Sequence, residues 1–196
     1  MFENLVASGT LKDYNAILVA CYSVHPLVQL LAEREEGLAV TGIFEASILT
    51  SLSLLTPPDW KRIPSWGIVT TGKFWEEHLT VGVKTFLGQD PSEVNAKFAG
   101  VESTGLVAGD FHGDVPPEVI RQKLSEATKR LLGGNGNVEC VVMGCAGMAG
   151  LEEIIRSAAI EQYGEKVGRR VYIVDGVKAG VGLLVETVKN RRMFQR

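Results

Sequence analysis

At 196 residues, with 45% hydrophobic and 22% charged residues, the chain has the make-up of a globular protein built as one domain or two small lobes sharing a core. A net charge of −3 and a pI near 5.7 give no basic footprint for nucleic acid or anionic lipid. Gly, Asp or Lys interrupts every apolar run short of the ~18 residues that a membrane span needs, and the opening MFENLVASGTLKDYN lacks the basic start and apolar stretch of a secretory leader, so a cytoplasmic protein is expected.

In chain order, short β-rich apolar runs alternate with longer amphipathic stretches. Strands are expected at 16–20, 38–41, 67–70, 98–102, 138–144 and 171–174, and helices at 26–36, 45–55, 74–86, 117–132, 151–163 and 178–190. Alternation of this kind is the pattern of an α/β protein with mainly parallel sheets. The segment 56–66, TPPDWKRIPSW, carries three prolines and neither period, and reads as a connection between two halves. The halves are alike: each runs strand, cysteine, helix, then a strand ending in a glycine signature, VTGIFEAS in one and VDGVKAG in the other. The cysteine-to-glycine spacing is 21 residues in the first half and 31 in the second, a loose repeat that suggests two similar lobes facing each other.

The repeat places Cys21, in ILVACYSVHPLV, and Cys145, in VVMGCAGMAGLEE, where a strand gives way to a helix. Such junctions, at the carboxyl edge of a parallel sheet, are where open α/β proteins bind ligands. A following helix favours a thiolate through its dipole, but by only about 0.3–1 kcal/mol when exposed, and one pKa unit needs about 1.4. More support is therefore expected from Ser23 and from the N–H groups of Ala146 and Gly147, small residues that also let a substrate approach the backbone. Cys140, inside VECVV, reads instead as a small buried hydrophobe. With three scattered cysteines there is neither a disulfide framework nor a zinc ribbon, and in a reducing compartment all three stay thiols. Two thiols, one from each lobe, suit removal of a proton from one face of a carbon and its return on the other.

Other candidates are weaker. GIVTTGK at 67–73 matches part of a phosphate-binding loop, but Phe74 stands where a magnesium-binding Ser or Thr belongs and Gly67-Ile68-Val69 reads as strand. Thr70 and Thr71 remain candidates for contacting a carbonyl or a non-nucleotide anion. His25, His78 and His112 form no ligand pattern, so no metal site is expected. Glu45 and Lys178 open helices at equivalent places and read as surface charge first, with substrate contact as the alternative.

Taken together, LVACYSVHPLV, VTGIFEAS, GIVTTGKFWE, FAGVESTGL, VVMGCAGMAGLEE and VDGVKAGVGLL resemble the hydantoin and allantoin racemase branch of the aspartate/glutamate racemase superfamily, over about residues 13–184. The resemblance implies two flavodoxin-like lobes related by a pseudo-twofold, with the active site between them: 1–62 and 175–196 in the first lobe, 63–174 in the second. It implies racemisation without cofactor, whether metal, flavin, pyridoxal or nucleotide, with Cys21 and Cys145 as the acid/base pair. Ser23, Phe44, Thr70, Thr71, Ala146, Gly147 and Met148 would line the pocket. The expected substrate is a small cyclic ureide, a 5-substituted hydantoin or allantoin. No nucleic-acid or membrane partner is expected, and a homo-oligomer is compatible with this reading. A silent binding protein of the same fold, and a decarboxylase or isomerase of the superfamily, are the alternatives. The family's Asn-Pro-Asn motif is missing from this sequence, and the first lobe is expected to be shortened by about one strand and helix plus the following loop.

Overall fold

The computed structural model describes residues 9–195 except 36, 60, 61 and 136. Among the described residues, six strands, β1 Ala16–Val19, β2 Ala39–Gly42, β3 Ser65–Thr70, β4 Phe98–Ser103, β5 Val138–Met143 and β6 Tyr172–Asp175, alternate with helices as the sequence pattern demands. The helices are α1 Pro26–Arg34, α2 Ile43–Leu54, α3 Phe74–Phe86, α4 Pro117–Asn135, α5 Glu152–Tyr163, the short α6 Glu165–Gly168 and α7 Gly176–Phe194. Every strand pairing is parallel. β1 and β2 form one sheet, in register from Ala16 opposite Ala39 to Val19 opposite Gly42, and the other four form a second sheet in the order β4-β3-β5-β6. The fold is thus α/β with parallel sheets in two lobes. The expected end of the first helix at Glu36, and the start of the chain at residues 1–8, lie outside the described residues.

Of the expected boundaries that moved, two bear on how the sheets are joined. The connection ends at Pro64, because Ser65 and Trp66 already belong to β3, a strand buried along its whole length between β4 and β5. A strand covered on both faces has no polar alternation to announce where it begins. The helix expected from residue 45 starts at Ile43, its N-cap being Gly42.

α2 explains how the halves cohere. In its sequence, IFEASILTSLSL, Ile43, Phe44, Ala46, Ser47, Ile48 and Ser51 are buried, while Leu49 and Ser53 reach solvent. It packs against α7, which covers β1 and β2, and also against β5 and β6 of the larger sheet. Ile43, Phe44 and Ile48 of α2 share a core cluster with Tyr22 on one side and Trp66, Ile68 and Val142 on the other. Each such side chain, fully buried, contributes ~1.5–3 kcal/mol. A second cluster lies on the other face of the large sheet, under α4 and α5, and includes Leu124, Leu131, Val141, Met148 and Ile155. From the connection between the two sheets, Thr56 donates to Glu139 of β5 from its amide at 3.0 Å and its hydroxyl at 2.9 Å. Arg62 completes that anchor with a 2.9 Å ion pair to the same carboxylate.

Candidate functional site

β1 runs out at Val19, and Cys21 follows two residues later with its side chain exposed. The loop is tied down on either side of it. Tyr22 is buried, with its ring edge-on to Phe44 at 5.7 Å between centroids and 90° between planes. Ser23 is also buried: its amide donates to the Cys21 carbonyl at 3.0 Å and its hydroxyl lies 3.3 Å from Cys21 Sγ. His25 then caps α1, its Nδ1 accepting from Leu27 N at 3.2 Å ahead of Pro26 at the first helical position. The expected coupling of the Cys21 sulfur to a helix start is corrected on this point. α1 begins five residues beyond Cys21 and its first turn is closed by His25, so the local hydrogen-bond partner beside the sulfur is the Ser23 hydroxyl.

Cys145 is held differently. β5 ends at Met143, and Gly144 donates to Val69 O at 2.7 Å while its own carbonyl accepts from Thr70 Oγ1 at 3.0 Å. That close crossing admits no side chain, since a Cβ on Gly144 would stand 2.9 Å from Val69 O. Cys145 then caps a single 3₁₀ turn, Ala146–Met148, and α5 starts only at Glu152. Again the α-helix dipole is not at the sulfur; the N–H of Gly147 is. Burial pushes the half-buried Cys145 thiol up, the Gly147 N–H opposes this, and the charge of Cys21 adds to the upward push. The two sulfurs therefore stand within electrostatic reach of each other, although they come from different sheets.

Around this pair the remaining candidates divide. Thr70 and Thr71 are buried at the end of β3, where their carbonyls accept from Thr104 N at 2.8 Å and Gly105 N at 2.9 Å, stitching the ends of β3 and β4 together beside Cys145. Gly147 is half-buried and Ala146 exposed, next to the sulfur. Two of the expected lining residues are chiefly core. The Met148 side chain is wholly buried in the cluster under α4 and α5, which leaves only its backbone at the 3₁₀ turn. Phe44, 1% exposed, packs in the inter-sheet cluster and shows one edge to a cavity. Cys140 is buried with Sγ 3.4 Å from Ser51 Oγ, and its thiol is pushed up to about 12, chiefly by burial.

Glu45 departs from its reading as surface charge. It is half-buried in the first turn of α2, and burial raises its carboxyl against the opposing amides of Glu45 itself and Gly42 and the charge of His25. The sequence did carry a signal, a glutamate three residues after a glycine N-cap, but the same pattern also suits an exposed first-turn acid. Lys178, by contrast, is exposed as expected, with Nζ 3.0 Å from Glu152.

Comparison with known proteins adds to this geometry. The Asp/Glu/Hydantoin racemase family profile matches residues 3–184. Among curated proteins, Uncharacterized protein C1F7.10 of Schizosaccharomyces pombe is 35% identical over 175 residues, 89% of this chain and 63% of that protein. Protein DCG1 of Saccharomyces cerevisiae is 29% identical over 146 residues, 72% of this chain and 54% of its own length. The chain thus spans under two thirds of the length of either relative. Among solved structures, allantoin racemase from Klebsiella pneumoniae shares the fold at a TM-score of 0.65 and 23% identity, over 93% of this chain and 62% of that one. Glutamate racemase RacE1 from Bacillus anthracis does so at 0.58 and 13%, over 97% and 65%. A profile that covers nearly the whole chain, over parallel lobes shared with two racemases, places the protein in the Asp/Glu/Hydantoin racemase family.

Proposed function

We propose that the chain is a cofactor-independent racemase of five-membered cyclic ureides, a 5-substituted hydantoin or allantoin, working through Cys21 and Cys145. The observation that supports this reading is the placement of two thiols, Cys21 just beyond β1 and Cys145 just beyond β5, with the charge of Cys21 acting on Cys145. The proton on C5 of such a ring is acidified by the neighbouring carbonyl. One thiolate takes that proton, the electron pair of the C–H bond moves onto the carbonyl oxygen, and the opposite thiol returns a proton to the other face as the carbonyl re-forms. The Gly147 N–H already serves Cys145, and those of Met148 and Ala149 are bonded within the turn, so the developing oxyanion would call on a backbone N–H left free beside Cys145, a contribution of about 2.7–4 kcal/mol per donor in comparable sites. The K. pneumoniae enzyme of the same fold is an allantoin racemase, which supports the choice of substrate class.

The test is the loss of circular dichroism from an optically pure hydantoin or allantoin at constant mass. Cys21→Ser and Cys145→Ser are each expected to abolish it, while Cys140→Ser keeps most of it. Full turnover in either of the first two variants overturns the two-thiol scheme.

A further inference from the structure

Gly144 has to be a glycine and, being one, has no side chain to hold its own conformation. A Cβ there would stand 2.7 Å from the Ile68 side chain, 2.9 Å from Val69 O and 3.0 Å from Thr70 Cβ, so the chain can leave β5 past β3 only without one. Glycine is also the residue with the widest choice of backbone angles. That freedom matters because the next residue is Cys145, whose side chain takes its direction from the planar peptide units on either side of it.

Two hydrogen bonds from β3 supply the missing restraint, and they act on different peptide units. Gly144 N donates to Val69 O at 2.7 Å, which fixes the plane between Met143 and Gly144. Thr70 Oγ1 donates to Gly144 O at 3.0 Å, which fixes the plane between Gly144 and Cys145. Thr70 is itself firmly held: it is 1% exposed, and its carbonyl accepts from Thr104 N at 2.8 Å. Its one hydroxyl proton is committed to Gly144 and is not on offer to a ligand. Beyond the sulfur, the Met148 side chain is sunk in the core, and Gly147 lies against Ala108 and Phe111, which a Cβ there would meet at 3.1 Å and 3.6 Å. Cys145 thus hangs between two anchors, and the Thr70 hydroxyl secures the nearer one.

We propose that Thr70 is a positioning residue: its hydroxyl, acting through the Gly144 carbonyl, sets the direction of the Cys145 sulfur and so its alignment on one face of the substrate carbon. The proposal rests on the racemase reading above and deepens it. Without the hydroxyl a buried carbonyl is left unpaired, and its peptide plane turns to find another donor. Cys145 turns with that plane, away from the Gly147 N–H that favours its thiolate. Displacing a reacting group by ~1 Å costs about a hundredfold in rate.

The experiment uses Thr70→Val, which keeps the shape and loses the hydroxyl, and Thr70→Ser, which keeps the hydroxyl, with thermal unfolding to show that each is folded. Thr70→Ala replaces Thr70→Val should the added methyl prevent folding. Deuterium exchange at C5 is measured with each enantiomer of allantoin, and alkylation of Cys145 and Cys21 by iodoacetamide is followed peptide by peptide against pH. In Thr70→Val, kcat for exchange of the enantiomer that Cys21→Ser still exchanges should fall by roughly tenfold or more with KM little changed. The pH midpoint of Cys145 alkylation should move up while that of Cys21 stays. Thr70→Ser should return both readings to those of the wild type. A rise in KM with kcat kept, the mark of a direct ligand contact, overturns the assignment, as does an equal change at both thiols or a Thr70→Ser that behaves like Thr70→Val. Alkylation separates this proposal from the one it rests on. A wild type that exchanges neither enantiomer, with a Cys145 midpoint that moves in Thr70→Val and returns in Thr70→Ser, ends the racemase reading and keeps this one. Exchange by the wild type with an unmoved Cys145 midpoint in Thr70→Val does the opposite, and neither exchange nor movement ends both.

Discussion

Cys21 Sγ and Ser23 Oγ lie 3.3 Å apart, in a loop where Ser23 is buried and Cys21 is exposed. The hydroxyl is thereby fixed while the sulfur keeps access to a ligand. A hydrogen bond to a charged group is worth about 1.5–3 kcal/mol, so Ser23→Ala is expected to slow racemisation by roughly tenfold or more. Steady-state polarimetry reads that loss, and Ser23→Thr, which retains the hydroxyl, should restore part of it. Because a single hydroxyl is removed, the melting temperature should change little.

Cys145 titrates at higher pH than an ordinary thiol, through burial first, against the Gly147 N–H, and through Cys21. On the two-thiol proposal, the enantiomer that gives its C5 proton to Cys145 must wait for that sulfur to ionise. Its kcat/KM should accordingly keep rising at pH values above the ordinary range of a thiol. Deuterium exchange in heavy water identifies that enantiomer as the one still exchanged by Cys21→Ser and not by Cys145→Ser. Exchange of neither enantiomer in either variant would remove the assignment of faces.

The same physics acts on stability at Cys140, whose thiol moves from 9.0 to about 12 through burial. The folded state holds the proton that the unfolded state gives up first. Stability from this group is therefore complete below pH 9.0 and is lost as the pH climbs toward about 12, at ~1.4 kcal/mol per pH unit over that window. Urea unfolding at pH 8 and pH 10.5 should show a smaller alkaline loss in Cys140→Val than in the wild type. Alkylation of the folded protein near neutral pH should leave Cys140 unmodified.

Two glycines of α7 should respond in opposite directions. A Cβ on Gly180 would drive into the Leu18 side chain of β1, whereas nothing stands within 4 Å of one on Gly182. Gly180→Ala is expected to destabilise by about 1–3 kcal/mol through overpacking. Gly182→Ala is expected to stabilise by roughly 0.5–1 kcal/mol, the ordinary gain of alanine inside a helix. Denaturant midpoints measure both, and Gly180→Ala should also lower turnover, because Leu18 lies three residues before Cys21.

The order of strands and helices was readable because period and punctuation agree along most of the chain. α3 carries its amphipathic stripe from Phe74 to Phe86, and both bounds follow from the pattern. The start of β3 was hidden, since Ser65 and Trp66 are as buried as the strand they open, and the prolines before them suggested a longer loop. At the candidate site, the position of each thiol just beyond a strand end could be read from the repeat, and that of Ser23 beside Cys21 from the sequence. The burial of Met148 and of Glu45 could not. A methionine in a glycine-rich turn reads as pocket lining until the fold shows which face of the turn the core claims. A glutamate in the first turn of a helix reads as solvent-facing until the neighbouring glycine, by lacking a side chain, lets the carboxylate fold inward.

With α2 wedged between the sheets, the separation of the two cysteine loops is a dimension of a solid rather than the opening of a jaw. Close-packed interiors yield very little to compression, so the lobes act as the arms of a fixed caliper. A ligand of different size could not be accommodated by spreading those arms without loosening Ile43, Phe44 and Ile48 from Trp66, Ile68 and Val142. Adaptation to a new substrate in this scaffold would instead fall to the residues at the caliper's tips, the turns at 22–24 and 146–147, where side chains can change without the core having to move.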